Sequence, residues 1–351
     1  MDKMAHKEKI SLHRLDELLD QFPDLHILVI GDFFLDKYLI IDRKLSEISL
    51  ETGLQAHQII EIHYSPGAAG TVVSNLRALG VKVSALGVIG TDGNGYELKR
   101  TLKEKEVNID NLIEEENRFT PAYTKPIIRE ENGLEHEIER MDIKNRSQLP
   151  RYTEDLLIKH LKNAIHRIDG VIIADQVQEP NCGVITDRVR KEIDDLALHH
   201  PDVIFIADSR TRIDLFQYVI IKPNAHEALL ATHRHEPKKI DIDLIKKCGD
   251  ELFRKNQKPV FITAASEGVL VFTQSGCRHI SGISVDGSID IVGAGDSAMA
   301  GIASALCSGA EPWEAGFVAN LIASITIQQI GMTGTASREQ IRQQFKKVNN
   351  Q

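Results

Sequence analysis

The sequence of 351 residues has few of the side chains that build disulfide or metal frameworks. Its 4 cysteines, at positions 182, 248, 277 and 307, include no CxxC pair, which excludes a dense disulfide scaffold and a zinc ribbon. The 14 histidines lack a spacing typical of metal ligands, so we expect them at the surface. We therefore predict free thiols and a reducing compartment.

Long apolar segments and an excess of positive charge are missing as well. The most apolar long segment, 313–330, contains Glu314 and Asn320, so we expect a buried helix there and not a membrane span. The polar N-terminus lacks the apolar core of a signal peptide and predicts a short amphipathic helix. The net charge of -9 argues against nucleic acid or an anionic membrane as the main partner. These absences favour a soluble cytoplasmic protein.

Short apolar runs alternate with helical patterns along most of the chain. Runs such as 26–32, 170–177 and 202–210 are almost continuously apolar, as strands buried on both faces are. Most segments between these runs space their apolar residues by three and four, as amphipathic helices do. The alternation predicts an α/β fold with a mainly parallel sheet and helices on both faces. Ligands of such sheets bind beyond the carboxyl ends of the strands, where this sequence often has Gly, Asp or Asn.

Two segments, 37–64 and 119–142, interrupt the alternation and have the pattern of strands joined by turns. The second contains EENGLE, which predicts a hairpin turn. We predict that the two segments meet in a small β-sheet outside the main domain. The predicted division is an N-terminal helix in 1–24, a core made of 25–36, 65–118 and 143–351, and a small sheet made of 37–64 and 119–142.

The segment around Asp296 holds the first chemical signal. Gly293, Ala294 and Gly295 precede this acid at the start of a predicted helix. The unpaired N–H groups and the dipole of a helix start attract an anion such as a phosphate or a developing oxyanion. A carboxylate there is placed to take a proton from an attacking hydroxyl, which points to phosphoryl transfer. The alternative, equally weighted on this segment alone, is that Asp296 caps the helix.

A second signal, KPNAHEALL at 222–230, follows a predicted strand. Asn224 and Glu227 are three residues apart and share one face of a helical turn, where they can orient a hydrated Mg²⁺. The alternative is a capping box, which the motif alone favours. A third signal, SPGAAGTVVSNLRALG at 65–80, is a turn of small residues that permits either close approach of a ligand or tight helix packing.

Taken in order, these motifs resemble those of the PfkB, or ribokinase-like, carbohydrate kinase family. DIVGAGD is a close form of the family's DTxGAGD, PNAHE fits NxxE, SPGAAGTVVSNLRALG resembles GGxxxNxAxxxxxLG, and GTDGNG resembles GxDxxG. GDFFLD at 31–36 resembles the GDxxLD opening of the heptose 7-phosphate kinases, which are the nearest members. The resemblance spans nearly all of the chain after Leu25. It implies a ribokinase-like three-layer α/β/α fold in which the small β-sheet is a lid.

The resemblance also implies a kinase site that uses ATP and Mg²⁺. By this resemblance Asp296 is the catalytic base, the 293–296 backbone is the anion hole, and Asn224 and Glu227 act on Mg²⁺ and phosphate. The other implied positions are Thr263 and Gly268 for a nucleotide turn, and Asp290 with the backbone near Ile291, Thr326 and Gly331 for a monovalent cation such as K⁺.

For the acceptor, the resemblance implies that Asp36 grips sugar hydroxyls and that Gly67, Thr71 and Asn75 belong to the sugar-binding signature. The family usually has Asn where Thr71 stands, so we expect different sugar contacts. Ala265 likewise replaces a common glycine of the nucleotide turn. The lid forms a dimer interface in several relatives, which suggests a homodimer here.

Basic residues of the small sheet bear on whether the acceptor is a sugar or a phosphosugar. Lys125 and Arg140, if they point inward, would bind a phosphate already on the sugar. As solvent-facing strand residues they would have no such role, and that alternative has at least equal weight. Arg210 and Arg212 follow a predicted strand and face a similar choice between the ATP phosphates and the surface.

The leading hypothesis is therefore ATP-dependent phosphorylation of a sugar or phosphosugar hydroxyl. The alternatives are a nucleoside kinase of the same family and a non-catalytic sugar- or nucleotide-binding protein on a kinase fold. A dinucleotide oxidoreductase is disfavoured because GDFFLD lacks the GxGxxG loop after the first strand. The heptose kinases often carry a nucleotidyltransferase domain, which we do not expect within this chain.

Overall fold

The computed structural model describes residues 10–233, 240–331 and 333–349. The strands are β1 His26–Gly31, β2 Phe33–Asp42, β3 Glu47–Ile48, β4 Gln55–Ala56, β5 Ile59–Ala68, β6 Lys82–Gly90, β7 Asn108–Glu115, β8 Ala122–Arg129, β9 Glu135–Glu137, β10 Met141–Ile143, β11 Gly170–Asp175, β12 Ile204–Ser209, β13 Ile220–Ile221, β14 Val260–Thr263, β15 Val269–Thr273 and β16 Gly276–Ile280. The helices are α1 Leu12–Gln21, α2 Ala69–Ala78, α3 Gly93–Glu104, α4 Arg151–Ala164, α5 Asp187–His199, α6 Ala225–Ala231, α7 Ile242–Asn256, α8 Ala294–Cys307, α9 Pro312–Thr326 and α10 Arg338–Asn349.

The large sheet has the order β16-β15-β14-β13-β12-β11-β1-β6-β7. The strands from β14 to β7 pair in parallel, whereas β15 and β16 run antiparallel at one edge. Because side chains alternate along a strand, Ile27 and Val29 of β1 pack in one layer with α1, α2, α8 and α9, and Leu28 and Ile30 pack in the other with α4–α7. These three layers around a mainly parallel sheet confirm the predicted fold class.

The smaller sheet has the order β10-β8-β2-β5, with β9 paired to β8. The long strand β2 pairs antiparallel with β5 and parallel with β8. Its strands take in Phe33–Asp36 and Ser65–Ala68 as well as the two segments that interrupt the sequence alternation. The EENGLE stretch forms the turn of the β8–β9 hairpin, where Gly133 has a φ of 81°.

Two aspartates hold loops near the carboxyl ends of the large sheet. Asp32, between β1 and β2, accepts hydrogen bonds from the N–H groups of Gln176, Val177 and Val184 at 2.7–2.9 Å. Asp92, in the GTDGNG motif, caps α3 and also accepts from the N–H of Thr120 at 2.9 Å. These bonds hold in place the loops that lie between the smaller sheet and the larger one.

The terminal helices pack against the core as amphipathic elements. Ser11 caps α1, whose Leu15, Leu18 and Leu19 are fully buried. The apolar helix predicted at 313–330 is α9. It ends at Thr326, and some of its buried residues are polar. Within the described ranges, every helix is too short or too polar to span a lipid bilayer.

Candidate active site

The start of α8 is an open turn rather than a capped one. Its N-cap residue is Gly293, with a φ of 81°, and no side chain within the described residues caps this end. A Cβ on Gly293 would stand 2.5 Å from a methyl carbon of Thr333, so both the backbone conformation and the space require glycine. The N–H of Ala294 bonds within the turn, whereas those of Gly295 and Asp296 lie in the first helical turn and have no helical acceptor. The turn therefore offers two amides to an anion, and Asp296 is not the cap.

The Asp296 carboxylate is in an environment that suits a base near neutral pH. Burial raises its pKa to about 7, and the negative charge of Asp208 adds to the rise. Lys222 and Arg210 oppose the rise through their positive charge. A carboxyl whose pKa is close to neutral both accepts and releases a proton readily, as general base catalysis requires.

Asn224 and Glu227 form the capping box that the motif alone favours. The N–H of Asn224 donates to Oε2 of Glu227 at 2.8 Å, and the N–H of Glu227 donates to Oδ1 of Asn224 at 2.9 Å. Burial raises the pKa of Glu227 to about 7, with a further contribution from Asp208. Thr263 lies beside this motif, since it forms an isolated β-bridge with Asn224. Carboxylate and amide oxygens at one edge of the sheet suit a hydrated Mg²⁺.

The sequence motifs assign no role to two residues of this region, Lys222 and Asp208. Lys222 follows β13, is 2% exposed, and forms an ion pair with Asp208 of β12 at 2.9 Å. Its position directly before the PN of the NxxE motif is a signal that sequence reasoning could have used. Asp208 stands at a strand's carboxyl end, which is the only hint the sequence offers for it.

A cavity of about 480 Å³ lies next to Asn224 and Thr263. Its wall is mostly apolar and includes His226, Ile242 and Ala265. Gly268 closes the turn behind it with a φ of 89°, and a Cβ there would stand 2.2 Å from a carbonyl oxygen. Ala265, which replaces a common glycine, has a φ of 48°. The mostly apolar wall beside the Asn224 motif is suited to an aromatic ring.

Asp36 lies on β2 and has one unused carboxylate oxygen. Lys125 donates from Nζ to Oδ2 of Asp36 at 3.0 Å and to the hydroxyl of Tyr38 at 3.1 Å. Oδ1 of Asp36 is buried and has no hydrogen-bond partner within the described part of the chain. A Cβ on Gly67 would stand 2.7 Å from this oxygen, so the glycine keeps the space beside it open. A buried acceptor without a donor is costly unless a ligand supplies one.

A second cavity, of about 250 Å³, lies between the small sheet and the carboxyl ends of the large one. Its cationic side chains come from distant parts of the sequence: Arg118, Arg140, Lys144 and Arg210. Its acidic lining residues are Asp32, whose oxygens accept the three backbone bonds described above, and Glu179. The cavity therefore carries an excess of positive charge in a protein whose net charge is -9.

The cations of this cavity are held mainly by neutral groups. Arg118 donates to the carbonyl oxygens of Ser147 and Cys182, and burial lowers its pKa. Arg210 donates from Nε to Oε1 of Gln176 at 2.9 Å. Within the described residues, Lys144 forms no ion pair. Guanidinium and ammonium groups without carboxylate partners are suited to bind a phosphate.

Arg140 has a carboxylate partner but still faces the cavity. It pairs with Asp142 through two bonds of 2.7 and 2.9 Å and stacks on the ring of Tyr123 at 4.1 Å. Of the basic residues singled out in the sequence, Arg140 and Arg210 thus line the cavity, whereas Lys125 pairs with Asp36 and Arg212 with Asp175. Arg118 and Lys144 were missed, because no local pattern marks them.

Thr71 and Asn75 lie inside the molecule on α2. The Thr71 methyl carbon is 3.6 Å from where a Cβ of Gly293 would stand, so it supports the turn at the start of α8. Asn75 is 1% exposed and donates from Nδ2 to the carbonyl oxygen of Thr71 at 3.0 Å. The Thr71 contact joins α2 to the start of α8, and the sugar-binding roles of Thr71 and Asn75 stay predictions.

Asp290 and Gly331 lie together, as the resemblance implies. Oδ2 of Asp290 accepts from the N–H of Gly331 at 3.2 Å, and Oδ1 accepts from the N–H of Val292 at 3.0 Å. The N–H of Asp290 donates to the carbonyl oxygen of Ile327 at 2.8 Å. Among the described residues, no group of three or more His, Cys, Asp or Glu side chains is arranged to hold a metal. A monovalent cation here would rely on backbone oxygens.

The fold and this site define a small-molecule kinase: an open helix start, a carboxylate whose pKa is near neutral, and two cavities near the carboxyl ends of the large sheet. The chain belongs to the pfkB family of carbohydrate kinases, and the family model matches residues 36–339. This confirms the family resemblance seen in the sequence motifs.

Curated relatives of this chain are named bifunctional proteins. The chain is 30% identical over 324 residues to the bifunctional protein HldE of Sulfurimonas denitrificans, covering 90% of this chain and 63% of that protein. It is 27% identical over 319 residues to HldE of Nitratiruptor sp., covering 90% and 64%. The chain therefore spans less than two thirds of the length of these relatives. Their names agree with the resemblance to heptose 7-phosphate kinases.

Solved structures share the fold at low identity. Phosphofructokinase-2 from Escherichia coli in complex with potassium matches with a TM-score of 0.70 and 16% identity, over 93% of this chain and 99% of that one. Ribokinase of Arabidopsis thaliana complexed with ribose and ATP matches with a TM-score of 0.65 and 18% identity, over 92% and 99%. Both support the ribokinase-like α/β fold.

Proposed function

We propose that this chain phosphorylates a hydroxyl group of a phosphosugar at the expense of ATP. The observation that carries the proposal is the cation-lined cavity of about 250 Å³ between the two sheets. Arg210, one of its cations, lowers the pKa of Asp296 through its positive charge, which supports placing the cavity and the proposed base in one site. A phosphate in this cavity would bring a sugar hydroxyl toward Asp296.

The catalytic roles follow from where charge develops during phosphoryl transfer. Asp296 takes the proton from the acceptor hydroxyl, while the amides of Gly295 and Asp296 stabilise negative charge on the migrating group. Asn224 and Glu227 would hold Mg²⁺ through its water shell, and the ion would neutralise phosphate charge. Their capping box keeps both side chains in place at the strand end.

The acceptor is held by groups of the small sheet. Oδ1 of Asp36 lacks a partner and accepts a sugar hydroxyl, in the space that Gly67 leaves open. Lys125 orients Asp36 through Oδ2. Arg140 and Lys144 face the phosphate end of the acceptor. In this arrangement the small sheet, with segments 37–64 and 119–142, acts as a lid over a core made of the remaining residues.

The nucleotide lies against the apolar cavity of about 480 Å³, with its base near Ala265 and the turn closed by Gly268. Thr263 lines the same cavity. A related fold binds ATP and ribose in the Arabidopsis ribokinase structure, which supports ATP as donor. We further propose a K⁺ site at Asp290, with backbone oxygens near Ile291, Thr326 and Gly331, in keeping with the potassium complex of phosphofructokinase-2.

We also propose that the chain works in the cytoplasm as a homodimer. The small sheet and the adjoining loop expose apolar side chains, among them Ile48, Ile59 and Ile62, each at least 46% exposed. Covering such side chains with a second copy would shield them from water. Sedimentation at low micromolar concentration tests this, and a monomer at all concentrations would contradict it.

The test of function is an ADP-release screen with Mg²⁺ and ATP, run with and without K⁺. The acceptors are heptose 7-phosphates and hexose 6-phosphates, each beside its free sugar, and a set of nucleosides. We expect kcat/KM to be about 100-fold higher for a phosphosugar than for its free sugar, since charge-assisted bonds to phosphate contribute about 1.5–3 kcal/mol each. Equal use of free sugars or nucleosides would overturn the phosphosugar assignment. No turnover with any acceptor would favour a binding protein on a kinase fold.

A further inference from the structure

Lys222 is a buried lysine at the centre of the proposed transfer site. It is 2% exposed, and lysine is almost never buried so fully unless it is paired. Its Nζ lies 2.9 Å from Oδ2 of Asp208. Besides Asp208, the charges that act on its ammonium are those of Glu227 and Asp296. One carboxylate thus pairs with this cation at the carboxyl ends of β12 and β13, and two more act on it through their negative charge.

The ammonium also faces the open turn of α8. A Cβ built on Gly295 would stand 3.8 Å from Nζ of Lys222, which is the one described group outside the adjoining residues and backbone of α8 within 4 Å of that position. An ammonium has three N–H donors, and Asp208 is the partner that the described residues provide. The remaining donors have room on the side of the Gly295 amide.

Two positive features therefore meet at one place: the start of a 14-residue helix and a lysine ammonium. The two positive features repel each other. The nearby carboxylates alone do not explain a buried ammonium, because a solvated cation would pair with them at a lower desolvation cost. An anion between the amide of Gly295 and Nζ of Lys222 would satisfy both. The acid cluster then serves to hold the lysine charged within the protein interior.

We propose that Lys222 is a catalytic residue that donates from Nζ to a non-bridging oxygen of the γ-phosphoryl group of ATP, next to the amides of Gly295 and Asp296. This inference rests on the proposed function. The acceptor oxygen forms a bond to the γ-phosphorus as the bond from that phosphorus to the ADP oxygen breaks. The hydroxyl proton goes to Asp296. Lys222 keeps its own proton throughout and supplies only a hydrogen bond and charge.

The test compares Lys222→Met with Asp208→Asn and with the double variant. Loss of one donor to a developing charge lowers kcat by about 10²–10³ in other enzymes, and we expect that loss in Lys222→Met. If Lys222 only neutralised Asp208, the double variant would regain activity, and this would overturn the proposal. We expect the double variant to stay at least as slow as Lys222→Met. Lys99→Met, which breaks the surface pair with Glu114 at 2.7 Å, is the matched control and should behave as wild type.

A binding measurement keeps the inference separate from the acceptor assignment. Calorimetry with AMP-PNP and with ADP, both with Mg²⁺ and no sugar, isolates the contribution of the γ-phosphoryl group. Lys222→Met should weaken AMP-PNP binding at least tenfold and ADP binding less than threefold, with a melting curve that remains cooperative. Equal weakening of both nucleotides would show a structural role and overturn the proposal. If the wild-type protein turned over no acceptor, the proposed function would be wrong, but the binding test could still be interpreted.

Discussion

The proposed nucleotide side and the proposed acceptor side of the site are built from different kinds of structure. On the nucleotide side, short local segments dominate: the turn at the start of α8, the Asn224–Glu227 capping box and the turn closed by Gly268. On the acceptor side, charged side chains dominate, and they come from the two sheets and the loops between them. The first side presents one geometry to any triphosphate, whereas the second depends on which side chains are present.

This difference suggests where substrate preference can change without loss of chemistry. A turn such as Gly293–Asp296 needs particular residues because of its φ angle and the closeness of Thr333. Two of the cavity cations, Arg118 and Arg210, donate to carbonyl and amide oxygens. Many other side chains could take the place of these two cations. We therefore expect changes on the nucleotide side to slow every acceptor and changes on the acceptor side to alter selectivity.

The largest effect should come from Asp296→Asn. We expect kcat to fall by about 10³ for all acceptors, in the range of lost general base catalysis, because the amide cannot take the hydroxyl proton. Calorimetric binding of ATP and acceptor should persist. The exposed residue Asp286 lies in the loop before α8, and Asp286→Asn is the control expected to match wild type. Retention of most activity in Asp296→Asn would remove the assigned base and, with it, the contrast between the two sides.

A smaller and selective effect is expected from Lys144→Met. Loss of one charge-assisted bond to phosphate should lower kcat/KM for the phosphosugar by about 10- to 100-fold, corresponding to about 1.5–3 kcal/mol. The weak activity on the matching free sugar should not change. Arg146→Met removes a charge two residues away, at an exposed position, and should have little effect. An equal fall for the free sugar would mean that the cavity does not recognise phosphate.

The same contrast explains how far sequence reasoning reached. The turn at Gly293–Asp296 and the Asn224–Glu227 box are local, so their residues stand next to one another in the sequence and form motifs. The strands of the large sheet were predictable because burial on both faces leaves almost continuous apolar runs, as in β1 and β11. Such local patterns were enough to predict the fold and the motifs of the proposed nucleotide side.

The acceptor side could not be predicted in the same way. Arg118 and Arg210 line one cavity although one lies before β8 of the smaller sheet and the other follows β12 of the larger one. Register between distant segments is a tertiary property that no window of residues records. Lys125 illustrates the limit: its place in the small sheet was predicted, but its ion pair with Asp36 depends on the pairing of β2 with β8.

The pH dependence of kcat should be the mildest effect and should report on the ionisation of Asp296. Asp296 must be a carboxylate to act as base, and burial raises its pKa to about 7, so kcat should fall about tenfold for each unit below pH 7. The linked effect on stability has the opposite sign: the folded protein binds this proton more tightly than the unfolded chain, so this group's contribution to stability declines as pH rises from about 4 to about 7. Asp208→Asn removes a negative charge that raises the pKa of Asp296, and should move the acid limb of the kcat profile to lower pH. Saturating phosphosugar separates this shift from titration of the substrate phosphate, and an acid limb that stays in place in Asp208→Asn would mean that a group other than Asp296 controls the rate.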